Sequence, residues 1–251
     1  MRQGLVLTGF AVLVLSVTLA TAQDQGSSST SSTVSGSFKS EVKVNGVTQK
    51  AEGESNTQNL AVGSVEGSRV DGNFFSNVET GNIKQTISGN GSENRQDMSV
   101  GSIQNSTVKE FKSKVTAGDL SQEVKGGSNN TQEMLIGSSN NSKVEGGTFK
   151  SDVNVKNVKQ TATGDGNTQS IQIGSAKNST VKSGNFDSTV KVTGNISQIA
   201  SKDVKQDLML GSMNNAEVGS FKSNVTVNGK IEQSATGAGG HNQSATIGSV
   251  R

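Results

Sequence analysis

Phenylalanine stands at positions 38, 74, 111, 149, 186 and 221, in steps of 36, 37, 38, 37 and 35 residues. A period of that length outranks any local propensity, because it makes the chain an array of one small unit. Two residues after each Phe stands a Ser (Ser40, Ser76, Ser113, Ser151, Ser188, Ser223), and two further on a Val (Val42, Val78, Val115, Val153, Val190, Val225). A side-chain period of two is that of a β-strand.

Residues 149–175, FKSDVNVKNVKQTATGDGNTQSIQIGS, serve as the template. With the residues that follow, they divide into four alternating runs: Phe149-x-Ser151-x-Val153, Val158-x-Gln160-x-Ala162, Asn167-x-Gln169-x-Ile171-x-Ile173 and Ser179-x-Val181. Gly and Asn punctuate them, as β-arcs require.

The second run carries Gln in every unit (Gln49, Gln85, Gln122, Gln160, Gln198, Gln233), and so does the third (Gln58, Gln96, Gln132, Gln169, Gln206, Gln243). Asn56, Asn94, Asn130 and Asn167 precede the second Gln in four units, where the last two have Val204 and His241. Gly53, Gly89, Gly126, Gly164 and Gly237 close the second run, with Lys202 in the fifth unit. A Gly-Ser dipeptide follows the third run in all six, from Gly63-Ser64 to Gly248-Ser249. The sixth unit reaches Arg251 without a fourth run, which predicts an incomplete last layer.

Residues 1–22, with Arg2, an apolar run and Ala20-Thr21-Ala22, read as a secretory signal. Residues 23–37, rich in Ser, Thr and Gly, read as a flexible linker, and 38–251 as the six-repeat body. The chain has no Cys, Trp, Tyr or Pro, and charges nearly balance, 23 Lys and Arg against 21 Asp and Glu. Thiolate metal sites, Cys nucleophiles and disulfides are excluded, and no net field draws the chain to nucleic acid or anionic lipid.

With so few large apolar residues, the composition is compatible with disorder or with a thin, layered core. The repeat favours layers. An all-β solenoid of six in-register units of about 37 residues lets each backbone group pair with the layer above or below. Stacking also makes ladders: Phe on Phe excludes water, and Gln on Gln satisfies an inward amide with copies of itself. One layer per repeat and two thinner layers per repeat both fit the pattern. In either case the end layers present open strand edges, and nothing at either end reads as a cap, so a second copy can stack head to tail.

The segment Gly46-Val47-Thr48-Gln49-Lys50-Ala51-Glu52-Gly53-Glu54-Ser55-Asn56-Thr57-Gln58-Asn59 resembles the Gly-Val-Asn-x-Ala-Ala-Gly-x-x-Asn-x-Gln-x-Asn motif of the Fap-type functional amyloid subunits of pseudomonads, with Thr48 in place of Asn. The repeats are also similar to those of curlin, the curli fibre subunit. The resemblance implies a secreted structural subunit that polymerises into extracellular amyloid fibres of a biofilm matrix. It also implies an outer-membrane export pore and a nucleator subunit as partners.

A non-polymerising β-solenoid adhesin or ice-binding module is the alternative, but the candidate ice face, Thr57, Arg95, Thr131, Thr168, Lys205, Asn242, is broken. Catalytic, cofactor and metal sites are not expected. His241 is the sole histidine, and Gly164-Asp165-Gly166-Asn167 reads as a turn because its Asp does not recur.

Overall fold

The computed structural model describes residues 33–52, 56–89, 93–127, 129–182, 184–215, 217–237 and 240–250. The expected signal, linker residues 23–32 and Gly53 lie outside the described residues. Among those described there is no helix, and the strands form three parallel sheets. Phe38 pairs with Phe74, Gln58 with Gln96, and Phe186 with Phe221, one repeat apart in every case. One repeat is therefore one layer, and the chain is a β-solenoid of six turns.

Each turn has a long path that carries the Phe, and in Thr107–Lys125 and Lys143–Thr163 it is continuous with the fourth run before it. In the first four repeats this path is continuous, as in Phe38–Glu52 and Phe74–Ser88, and in the last two it splits, as in Asn185–Val192 and Ile196–Ser201. Two successive exposed residues, Asn45 and Gly46, shift the in–out alternation by one residue and mark a corner between the first and second runs. A facing strand follows, Gln58–Val62 in the first layer and Gln169–Ile173 in the fourth. Then comes a two-residue strand such as Ala176–Lys177, which the sequence reading did not resolve because two residues carry no period.

The fourth run stacks as Arg69–Val70 and Thr180–Val181, and Thr33–Val34 pairs with Arg69–Val70. This corrects two expectations. The linker does not extend to residue 37, and the fourth run, which the sixth unit lacks, has a copy ahead of the first unit in Thr33–Val34. Counting from Phe concealed it, although Thr33-Val34 repeats the dipeptides Thr107-Val108 and Thr180-Val181.

The interior has two main apolar columns. Val78, Ile83, Met98, Val100 and their counterparts fill the space between the long path and the facing strand. The Phe residues pack with Val108, Val144 and Val181 of the fourth run and with Ile103 and Ala176 of the two-residue strands. Phe74, Phe111, Phe149 and Phe186 are fully buried, and the six rings stack nearly parallel with centroids 4.5 to 5.3 Å apart.

The Gly of Gly-Ser has a double requirement in the first five units. Gly63, Gly101, Gly137, Gly174 and Gly211 have φ between 52° and 60°. A Cβ there would also come within 2.3 to 2.6 Å of the Oγ of the Ser that follows each Phe. The two recurrent small residues are thus one contact, and Ser151 and Ser188 donate to the carbonyls of Gly137 and Gly174 at 2.7 Å.

Lys202 departs from its column. It has φ 98° where Gly89, Gly126, Gly164 and Gly237 take φ from 76° to 129°. A side chain in that region is strained by about 1–3 kcal/mol, and its exposed ion pair with Asp165 returns little. Replacing Lys202 with Gly should raise stability by about 1 kcal/mol, measured by chemical denaturation.

Candidate functional site: axial ladders and the two end layers

The buried amides form three columns along the axis. In the second-run column, Gln85 Nε2 donates to Gln49 Oε1 at 2.7 Å, and Gln122, Gln160, Gln198 and Gln233 each donate to the Gln one layer earlier at 2.8 to 3.0 Å. The third-run column repeats this from Gln96 on Gln58 to Gln243 on Gln206, at 2.7 to 3.2 Å. Every link points the same way: the later layer donates and the earlier one accepts.

In every Gln of the two columns but Gln243, the side-chain amide also donates across the interior to a backbone carbonyl. Gln160 donates to Ser170 O and Gln169 to Ile199 O, joining the long path to the facing strand. Each inner Gln therefore fastens two layers and two strands while fully buried, as at Gln85, Gln122, Gln160 and Gln198. An apolar residue would fill the space without the directional register.

The third column is shorter. Asn94 donates to Asn56, Asn130 to Asn94 and Asn167 to Asn130. Buried Val204 then ends it and leaves Asn167 Oδ1 without a donor. His241 is exposed above Val204, and the Gly164-Asp165-Gly166 turn is closed by Asn167 Nδ2 donating to Gly164 O and Asp165 O. Among the described residues no group of three or more His, Asp or Glu could hold a metal ion.

Sequence reasoning missed three further ladders. The Ser of Gly-Ser accepts from the next layer's Ser N–H, from Ser102 on Ser64 to Ser249 on Ser212, at 3.0 to 3.4 Å. A second Ser column, Ser106, Ser142 and Ser179, accepts from the preceding layer's backbone. At the outer corner Asn82, Asn157 and Asn195 accept from the backbone N–H of Asp119, Asn195 and Lys230. The recurrence of Ser four residues after the Gly-Ser serine was the available signal for the second column.

Outside the facing strand, Asp97 and Glu133 occupy adjacent layers of one column. Gln104 and Asn140 reach across from the short strand to the two oxygens of Glu133 at 3.0 and 2.8 Å. Lys177 reaches Asp207 at 2.6 Å in the same manner. These bridges span the outer angle where Leu135, Gln172 and Met209 stack, all buried. Neither amide atom of Gln172 has a hydrogen-bond partner. The extra Phe75 faces out, half-buried, with Lys112 Nζ 5.2 Å from its ring centre.

The two end layers differ from the middle. Among the described residues the exposed large hydrophobics are Ile231, Ile247 and Val250, at 38, 44 and 52%, all in the last layer. Their counterparts one layer in, Ile196, Leu210 and Met213, are fully buried. Among the described residues no later layer donates to the side-chain carbonyls of Gln233 and Gln243, and no earlier layer accepts from the amides of Gln49 and Gln58.

No family model, no curated protein and no solved structure matches this chain.

Two substitutions test these assignments. Replacing Gln172 with Met should stabilise the fold by about 1–2 kcal/mol in denaturant titration, by removing an unpaired buried amide. Burial, chiefly, pushes the carboxyls of Asp97 and Glu133 up, and the charge of Asp97 adds to the effect on Glu133. A raised folded-state value means a contribution fully present below about pH 4 and lost as pH rises through that raised value. Glu133→Gln should therefore be more stable than the parent at pH 7, with the difference gone at about pH 3; melting midpoints across that range measure it.

Proposed function

We propose that the chain is a structural subunit that polymerises end to end into a fibre, each copy continuing the solenoid of the last. The observation that carries this reading is the match between the two end layers. Continuing the in-chain register places Phe221 on Phe38, Val225 on Val42, Gln233 on Gln49, Gln243 on Gln58, Ile247 on Val62 and Val250 on Val65. Apolar residues meet apolar residues and amides meet amides. The amide columns add polarity, since the last layer offers acceptors and the first offers donors. Burying three exposed aliphatic side chains while pairing open strand edges is favourable on both counts.

Secretion, an export pore, a nucleator subunit and a place in a biofilm matrix belong to this reading through the likeness to Fap-type subunits and curlin. The purified chain, diluted from denaturant into neutral buffer, should form filaments with an axial reflection near 4.8 Å. The double variant Ile247→Lys, Val250→Lys should keep the parent's strand-rich dichroism and remain monomeric by sedimentation. A parent that remains monomeric at high concentration, or a double variant that polymerises at the parent's rate, would rule the reading out.

A further inference from the structure

We propose that Glu232 in the last layer of one copy pairs with Lys50 in the first layer of the next, and that this pair selects the polar, in-register joint. The inference rests on the end-to-end reading above and names the residues by which one copy recognises another.

Two neighbouring outward columns carry the argument. One runs Thr48, Lys84, Ser121, Lys159, Ser197, Glu232, and the other Lys50, Thr86, Glu123, Thr161, Ile199, Ser234. Within the chain Lys84 of the first column reaches Glu123 of the second, one layer on and two residues along, at 3.7 Å. Diagonal neighbours in adjacent strands lie within reach of long side chains. With Gln233 placed on Gln49, Glu232 and Lys50 stand in that same diagonal relation, with the charges exchanged. The joint thus reproduces a contact the chain already makes.

The pair also discriminates. Two last layers brought together present Glu232 twice at this position, and two first layers present Lys50 twice. Neither contact supplies an opposite charge there. At the polar joint the pair opposes a penalty elsewhere, because Lys222 would stack on Lys39 in the column that begins each long path, and like charges on adjacent strands repel. Both Glu232 and Lys50 are exposed in the single chain, so their substitution leaves its interior untouched.

The test is seeded elongation of the full chain at low ionic strength with E232K, K50E and the double exchange E232K/K50E. Each single variant turns attraction into repulsion and should slow elongation about fivefold, as an exposed pair allows. The double exchange should recover to within about twofold of the parent. The single-variant defects should shrink near 1 M salt, where screening acts within about 3 Å. Unchanged melting midpoints of the unassembled variants would establish that folding is intact. Single variants elongating at the parental rate, or a double exchange as slow as the singles, would overturn the pair while leaving a polymerising parent in place. A parent that forms no filaments at all would remove the end-to-end reading, and the pair with it.

Discussion

The amide of each inner glutamine is hydrogen-bonded to the amide of its own copy one layer away, and the rest of the structure depends on that repetition. An isolated amide in this interior would lose its solvent partners without return. Repeated in register, it accepts from one side and donates to the other, while its second proton reaches the opposite strand. The column works only if each layer places Gln at the same height on the same face. Register is therefore enforced by polar groups as strongly as by the stacked Phe rings, and a slip of one residue would turn every Gln and Phe outward.

This explains how a chain poor in large apolar residues remains ordered. Its apolar contacts are arranged along an axis rather than around a centre, so adding a layer adds a constant increment of burial. Hydrogen bonds that would be peripheral in a rounded domain are here axial and sheltered. Small residues are used for geometry: the Gly-Ser turn brings the backbone against the serine hydroxyl of the long path, and the Ser and Asn columns occupy corners where backbone donors would otherwise lack partners. Departures fall late in the array. Lys202 stands in a glycine conformation, and Val204 interrupts the Asn column. Both lie in the fifth layer.

The same logic separates the ends from the middle. A solenoid pairs its strands axially, layer upon layer, so each of its two terminal layers has one face of unpaired strand edges. Here the last layer carries the exposed Ile231, Ile247 and Val250, beside carbonyls aimed away from the chain. The first layer carries the complementary donors. In the proposed end-to-end fibre, what a middle layer buries against its neighbours an end layer would offer to a second copy, so that assembly would need no surface beyond the one that already folds the chain.

The sequence by itself determined the period, the strand character of the runs, and the identity of the Phe, Gln and Asn columns, because identical residues at a fixed interval can coincide only by stacking. It also marked the Gly-Ser turn. Tertiary structure alone decided that one repeat makes one layer and that Thr33–Val34 completes the first. It also located the corner at Asn45-Gly46 and set the Ser hydroxyls as rungs. The reason is physical: a periodic pattern specifies which residues align but is indifferent to where the cycle begins. Two-residue strands and hydroxyl bonds take their form from neighbouring layers, which no local stretch of chain contains.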